Sequence, residues 1–369
     1  MKTLILLLSS LFLLSAAAPD AAPLSPASEV KPELSPPPAK IYLPGTEIPP
    51  PTSKMQGRRL FGRLGLISLY GGSVKGQRNL DTALEWLAKS QNPDGSWGAK
   101  NPGRLTAQIA LVFRASSHFR DSNPYGKNVV AALTYLITSS PEDRDTQALR
   151  ICALAENQIV RPDESLSLPL QSALRKLIEG KAETDSAQTL AATCRAYEVA
   201  YQAGCREAGL VEAYHATLTR LKALALSRPA DPDSRAAIFY ALAAAGLAWG
   251  ADDKILPELE PLAPKFFQEL IKSPDWSQIP SLGTCSRATY AAFEQGGDEW
   301  RNCRQKIEPT LRKNQQAEGF WNPPGVPEPS LDQRLEATAL ACQMLEVYYA
   351  YKHNRFIKKE AAAAAEKKR

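Results

Sequence analysis

The pattern Gln-x-x-x-Gly-x-Trp occurs twice in this chain, each time at the end of an apolar helical run. The two copies consist of Gln91, Gly95 and Trp97 and, towards the other end of the chain, of Gln315, Gly319 and Trp321. Chance seldom places three uncommon residue types in the same register twice. The sequence therefore indicates a repeated structural unit.

Each copy can be interpreted as a clamp between two helices. A glycine two residues before a tryptophan allows a sharp turn, because glycine tolerates positive φ. The tryptophan can then fold back onto the preceding helix and bury a large ring. The glutamine can hydrogen-bond backbone groups left open at a neighbouring helix end. The repeat thus predicts two helical hairpins that are each fastened to a neighbour.

The first copy, within residues 83–98, resembles the QW motif of squalene–hopene and oxidosqualene cyclases, and the second differs mainly by Phe320 in place of Ser96. Residues 125–129 and 336–349 extend the likeness to secreted, cyclase-like bacterial proteins. These enzymes share the α/α-toroid fold with the β subunits of protein prenyltransferases. In this family the motif is structural, so the resemblance implies a fold and leaves the activity open.

Helical periodicity dominates from Leu80 to His353 and predicts an all-α protein. The predicted helices are 80–91, 104–118, 127–139, 143–157, 165–178, 185–204, 209–226, 232–249, 258–272, 283–296, 299–315 and 331–353. Short loops between them favour six antiparallel hairpins.

Six hairpins that each expose two apolar faces can bury both faces by closing into a ring, an α6/α6 barrel. The second helix of each pair is rich in alanine, and small side chains let inner helices crowd around a central cavity. An open solenoid is the alternative arrangement. Clamps near both ends of the chain favour closure, because the first and last hairpins would then be neighbours.

Residues 1–17 have the pattern of a secretory signal peptide. Lys2 forms a basic start, Leu4–Leu14 an apolar core too short for a comfortable membrane span, and Ser15 and Ala17 suit cleavage near Ala17. An uncleaved anchor is the alternative. We expect an exported protein, either periplasmic or secreted.

Two further segments flank the expected toroid domain, residues 58–353. Residues 18–57 form a proline-rich segment, and residues 19–53 alone hold 11 of the 29 prolines, which predicts a disordered linker. Residues 354–369 form a basic tail of alanine and lysine. The stretch from Tyr351 to Arg369 accounts for the whole net charge of +5, so the folded body is near neutral.

This charge distribution limits the classes of partner that can be expected. A near-neutral body lacks the basic footprint of nucleic-acid binding. The tail is typical of a solvated helical extension, with weak contact to anionic lipid or a protein as the alternative. Membrane contact is otherwise expected only transiently, through the signal peptide.

The sequence contains few signals of a metal site or of disulfide bonds. The six cysteines could oxidise in an exported chain, and the pairs closest in sequence are Cys194 with Cys205 and Cys285 with Cys303, but the pairing stays open. There is no Cys-x-x-Cys pair and there are only three histidines, so we expect no metal site and no cofactor.

Squalene–hopene cyclases protonate an alkene with an aspartate of Asp-x-Asp-Asp. The nearest sequence here has Asp231 and Asp233, with Ser234 at the final acid, at the start of a predicted inner helix. The resemblance places the acid role on Asp233 with Asp231 as its partner. A pairing with Arg235 would keep Asp233 ionised. A helix cap with first-turn acids is the simpler interpretation.

We therefore expect an exported toroid without the cyclase reaction, a binding or scaffold module for a hydrophobic small molecule or a protein partner. Few aromatic residues fall on the predicted inner helices, which disfavours carbocation chemistry. One alternative is a terpenoid cyclase-like enzyme with Asp233 as general acid. The other is a carbohydrate-active α6/α6 enzyme with paired carboxylates, such as Asp231 with Asp233 or Glu183 with Asp185.

Overall fold

Eleven of the twelve predicted helices lie in the part of the chain that the computed structural model describes, and all eleven form. The structure describes residues 48, 53–55, 63–141, 143–180, 185–248, 256–257, 259, 276–279 and 281–353. The predicted helix 258–272 lies outside the described residues, apart from residue 259. The all-α class predicted from the periodicity is confirmed.

The helices are shifted from their predicted bounds by a few residues, and one short helix at the start was not predicted. They are α1 (Arg63–Tyr70), α2 (Val74–Lys89), α3 (Pro102–Ala115), α4 (Gly126–Thr138), α5 (Arg144–Val160), α6 (Glu164–Glu179), α7 (Ala187–Gln202), α8 (Leu210–Leu226), α9 (Pro232–Ala244), α10 (Leu282–Gln295), α11 (Gly297–Asn314) and α12 (Leu331–Ala350). Residues Trp276–Gln278 form a 3₁₀ turn.

Short polar side chains determine where several helices begin. Asp143, Ser186 and Ser281 accept hydrogen bonds from backbone N–H groups three residues later, at 2.6, 3.1 and 3.2 Å. Each cap satisfies a donor that the first helical turn leaves open, which stabilises a helix by about 1 kcal/mol. These three caps begin α5, α7 and α10.

Six helices contact one another in a closed order. Helix α3 packs against α5, α5 against α7, α7 against α9, α9 against α10 and α10 against α12, and α12 packs against α3. These are the second helices of the predicted pairs, and we call them the inner helices. Small residues permit the close packing: all five alanines at 236, 237, 241, 243 and 244 of α9 are buried.

The remaining helices each bury one face against this group. Helix α2 buries Gly76, Leu80, Ala83, Leu84 and Leu87, the spacing of an amphipathic helix. Helix α12 instead buries residues on every side from Leu335 to Ala350, as a helix surrounded by others does. Helices α6 and α8 each contact two inner helices, and α11 contacts α10, α12 and α2.

The first and last hairpins are neighbours in space. Helix α2 contacts both α11 and α12. The Asp332 carboxylate in the first turn of α12 accepts hydrogen bonds from the backbone N–H groups of Ala99 and Lys100, at 3.0 and 2.8 Å. A bond between residues so far apart in sequence joins the start of the last inner helix to the loop after α2.

The two ends of the described chain also meet. Strand β1 (Ser53–Met55) pairs antiparallel with β2 (Tyr351–His353), with Ser53 opposite His353. Residues 1–17, most of the linker 18–57 and the tail 354–369 lie outside the described residues. Within the part that is described, no helix is both long enough and apolar enough to cross a bilayer.

Candidate binding cavity and the two clamps

The first clamp fastens the end of α2 to the start of α4. The Gln91 side-chain amide donates to the carbonyls of Gly95 and Asn128, at 2.9 and 3.0 Å. The Asn128 amide donates back to Gln91 Oε1 at 2.7 Å. Trp97 is fully buried, and its indole N–H donates to the Leu87 carbonyl at 2.7 Å. The tryptophan thus closes the end of its own helix while the glutamine holds the next hairpin.

The second clamp repeats these bonds and fastens the end of α11 to α2. The Gln315 amide donates to the carbonyls of Gly319 and Asn79, both at 2.8 Å, and the Asn79 amide donates to Gln315 Oε1. The indole N–H of the fully buried Trp321 donates to the Leu311 carbonyl at 2.8 Å. An asparagine on the neighbouring helix is therefore a shared part of both clamps, which the sequence pattern had not indicated.

Both clamp glycines are required by their surroundings. Gly95 and Gly319 have φ of +89° and +106°, the region that favours glycine. A Cβ would lie 2.4 Å from the Ala131 carbonyl oxygen at Gly95 and 2.6 Å from the Thr82 carbonyl oxygen at Gly319. The neighbouring helix thus approaches the turn too closely for any other residue. None of the six motif residues lines the cavity described below.

The two candidate acids do not converge on one point. Asp231 is exposed and caps α9, accepting from the Ser234 backbone N–H at 2.7 Å, and this bond lowers the pKa of Asp231. Asp233 lines the cavity and accepts from the Ser281 hydroxyl at 2.9 Å. No ion pair joins Asp233 to Arg235, contrary to the pairing considered from the sequence. A carboxyl that donates a proton needs a raised pKa, so Asp231 is unsuited to that role.

A cavity of about 560 Å³ lies between the inner helices, and all six contribute to its wall. Contacts between corresponding parts of the helices show that α3, α5, α7 and α12 run parallel. At the N-terminal ends Arg104 of α3 meets Asp145 of α5 at 3.5 Å and Glu336 of α12 at 3.1 Å. Further along the helices, Arg195 in the middle of α7 meets Glu156 in the C-terminal half of α5 at 3.4 Å.

The N-terminal level of the cavity carries five charged side chains: Arg104, Asp145, Asp233, Arg287 and Glu336. Burial raises the pKa of Asp145, and the charge of Arg104 opposes that shift. Burial lowers the pKa of Arg287, while the charges of Asp233 and Asp145 oppose it. This level therefore holds opposite charges from several helices in a partly dehydrated space, where electrostatic interactions are stronger than in water.

The C-terminal level holds a buried ionic network. Arg114 pairs with Glu156, Arg195 pairs with Glu156 and with Glu198 (2.9 Å), and Ser116 donates to Glu346 at 2.7 Å. Each of these side chains is at most 7% exposed. Burial raises the pKa of Glu198, and Arg195 opposes the shift. The network forms a polar floor, and sequence reasoning did not single out any of its members.

Aromatic side chains are sparse around this space. Of the lining residues only Tyr240 and Tyr290 are aromatic, with ring centroids 4.7 Å apart in an edge-to-face arrangement. Other inner-helix aromatics, such as Phe113 and Phe293, pack in the core instead. The cavity therefore does not present the stacked rings that would stabilise a carbocation.

The second candidate pair of carboxylates, Glu183 with Asp185, is not seen at the cavity. Asp185, a candidate for a carboxylate pair, forms an ion pair with Arg144 at 2.9 Å and is not part of the cavity wall, whereas Glu183 lies outside the described residues. Within the described ranges, no three side chains of His, Cys, Asp or Glu come together in a way that would hold a metal ion.

All six cysteines are free and buried, so neither of the two pairs closest in sequence forms a disulfide. Burial raises the pKa of Cys152, on the cavity wall, to about 12, and that of Cys205 to about 11. The thiolate is the reactive form. We expect the folded protein to resist iodoacetamide at about pH 8, with all six thiols labelled after unfolding in urea, as measured by mass spectrometry. Labelling of the folded protein, or a mass lowered by disulfide formation, would contradict this expectation.

Comparison of the sequence with protein-family models gave no match, and comparison with curated proteins gave none either.

Proposed function

We propose that this protein is an exported α/α toroid that binds a polar small molecule in its central cavity and does not carry out the cyclase reaction. The closed order of contacts among the inner helices supports the toroid, as does the clamp that fastens α11 to α2. The signal-like residues 1–17 support export to the periplasm or the cell exterior.

The observation that carries the binding function is the charge of the cavity wall. Nine charged side chains line it, four arginines and five carboxylates, together with an apolar portion. A volume of about 560 Å³ is in the range of small-molecule sites. Covering these charges with a wholly apolar ligand would remove their hydration without replacing it. A polar ligand therefore suits this wall better than the hydrophobic molecule expected from the family resemblance.

The cyclase alternative has less support. Asp233 faces the cavity, but Ser234 occupies the position of the final acid, Asp231 serves as a cap, and the wall has one aromatic pair. The carbohydrate-active alternative has one specific observation in its favour. Asp145 and Asp233 line the same level of the cavity, and the pKa of Asp145 is raised, the direction that a general acid requires.

A substitution that fills the cavity tests the proposal. Ala192 is half-buried on α7 and lines the cavity, so Ala192→Phe should occupy ligand space. In a thermal-shift screen of polar metabolites, we expect the native protein to be stabilised by a subset of compounds and Ala192→Phe to lose that response. Ala216, exposed on α8, provides the matched control: Ala216→Phe should respond like the native protein.

Three outcomes would contradict the proposal. The first is equal stabilisation of the native protein and Ala192→Phe, since the ligand would then bind elsewhere. The second is turnover of squalene or a shorter isoprenoid that disappears in Asp233→Asn, which would establish the cyclase alternative. The third is hydrolysis of an oligosaccharide that disappears in Asp145→Asn, which would establish the carbohydrate-active alternative.

A further inference from the structure

A guanidinium and a carboxylate share the N-terminal level of the cavity without contacting each other. Arg287 and Asp233 lie on the adjacent inner helices α10 and α9, and the charge of Asp233 opposes the lowering of the Arg287 pKa by burial. Yet no nitrogen of Arg287 comes within 4.0 Å of a carboxylate oxygen of any described residue, and Arg287 has no hydrogen bond to them. Among the described residues, only the Ser281 hydroxyl donates a hydrogen bond to the Asp233 carboxylate, at Oδ1, so Oδ2 has no described partner. Both side chains line the cavity and are available to a molecule bound there.

A buried amide on the opposite wall is also unsatisfied. Gln108 of α3 lines the cavity and is only 5% exposed, and its Oε1 has no hydrogen-bond partner in the structure. Gln188 of α7 lines the cavity without a hydrogen bond to any described residue. Buried polar groups are usually hydrogen-bonded, so an unsatisfied amide oxygen on the cavity wall is available to a molecule bound there.

The charge balance restricts what that molecule is. The wall carries four arginines and five carboxylates, so it is already close to neutral. A simple anion would meet the acids around Arg287, and a simple cation would meet Arg104 and Arg287. A molecule with both charges adds no net charge and can neutralise Arg287 and Asp233 separately.

We infer that the cavity takes a zwitterion with a primary ammonium and a carboxylate, the chemistry of a free amino acid or a short peptide. Its carboxylate would bind Arg287 in the paired geometry that guanidinium groups favour, and its ammonium would bind Asp233. Gln108 would bond a further polar atom, and the pair Tyr240 and Tyr290 would face the apolar part. This inference rests on the proposed binding function and specifies its ligand class.

The experiment uses isothermal titration of the full chain with the twenty common amino acids and a set of glycyl dipeptides. The probe that binds most tightly is then compared with its amide, which lacks the carboxylate charge, and with its hydroxy acid, which lacks the ammonium. We expect each analogue to bind about tenfold more weakly or worse, since each loses a charge-assisted hydrogen bond. Binding by amino acids alone, or by dipeptides alone, identifies which source of the zwitterion the cavity accepts.

Two variants assign each end of the zwitterion. In Arg287→Gln the preference for the acid over its amide should disappear, while the preference for the amine over the hydroxy acid remains. In Asp233→Asn the pattern should reverse. If either side chain had only a structural role, its substitution would weaken the binding of all three compounds equally. Arg78→Gln, at an exposed position on α2, is the control and should leave both preferences intact.

Different results would contradict the ligand class and the proposed binding function. If neutral polar compounds stabilise the protein in an Ala192-dependent manner and no zwitterion binds, the ligand class is wrong and the binding function stands. If a zwitterion binds with both preferences unchanged in Arg287→Gln and Asp233→Asn, the assignment to these residues is wrong. If no polar compound binds in an Ala192-dependent manner, both are overturned.

Discussion

Replacement of Trp321 by alanine should lower the free energy of unfolding by about 3–5 kcal/mol, the range for truncation of large buried rings. Trp321 is fully buried, and its indole N–H donates to the Leu311 carbonyl at the end of α11. The change removes that bond and leaves a cavity beneath the second clamp. Urea unfolding followed by circular dichroism measures the loss. An unchanged midpoint would show that the ring does not support this junction.

The chain offers two matched comparisons for this result. Trp321→Phe keeps most of the ring and loses the indole bond, so its cost should be smaller than that of the alanine variant. Trp97→Ala removes the equivalent ring from the first clamp, where the bond to Leu87 is almost the same length. Similar losses at Trp97 and Trp321 are expected because both rings are fully buried and make equivalent hydrogen bonds.

Replacement of Arg195 by methionine should have an effect of comparable size, about 3–5 kcal/mol, because it leaves buried carboxylates without their partner. Arg195 is 7% exposed and pairs with both Glu156 and Glu198. Glu156 retains Arg114, whereas Glu198 loses its only ion pair in the described residues. Removing the arginine therefore leaves a charge in the cavity floor that must be neutralised or hydrated.

The loss of stability in Arg195→Met should be larger at higher pH. Burial already raises the pKa of Glu198, and Arg195 opposes that shift, so the pKa rises further in Arg195→Met. The folded state then holds this proton more tightly than the unfolded state. Its stability falls as pH rises through the folded-state pKa. We expect a larger difference from the native protein at about pH 8 than at about pH 5.

Two variants control for the loss of an arginine side chain. Arg195→Met combined with Glu198→Gln should recover part of the stability and most of the pH dependence, since the uncompensated carboxylate is gone. Lys89→Met removes a cation from the exposed pair with Glu85 and should leave the melting curve essentially unchanged. A loss in Arg195→Met that is the same at both pH values would contradict the assignment to Glu198.

Periodicity predicted the helices well because most of them bury a regular stripe or a whole surface. The start of α2 shows where this reasoning stops. The helix was expected from Leu80 but begins at Val74, capped by Ser73. Gly76 suggests a break in the sequence, yet in the structure the Glu308 side chain packs so closely that a Cβ would lie 2.9 Å from its Oε1. Ser73 is a local signal for this start that the apolar periodicity does not include. The contact of Gly76 with Glu308, by contrast, joins residues far apart in sequence and cannot be read from local propensity.

The candidate site was harder to predict than the fold. Asp233 was identified through the family resemblance, and its place on the cavity wall is compatible with the expected inner position. The ionic floor was missed because charged residues in a helix are usually assigned to a solvated face. One signal was available: Arg114, Glu156 and Glu346 each interrupt an otherwise apolar stretch near the end of an inner helix. Only the packing of α3, α5 and α12 shows that these interruptions meet.

The pairing of β1 with β2 brings together two segments that are far apart in sequence, which bears on circular permutation. Because Ser53 lies opposite His353, a few residues would suffice to link these two strands into a continuous chain. The junction between α11 and α2 is held by the same kind of clamp as the junction between α2 and α4. A break in the exposed loop between α8 and α9 would then create new termini while every helix contact is retained. The described helices are therefore compatible with a circular permutation whose new ends lie in that loop.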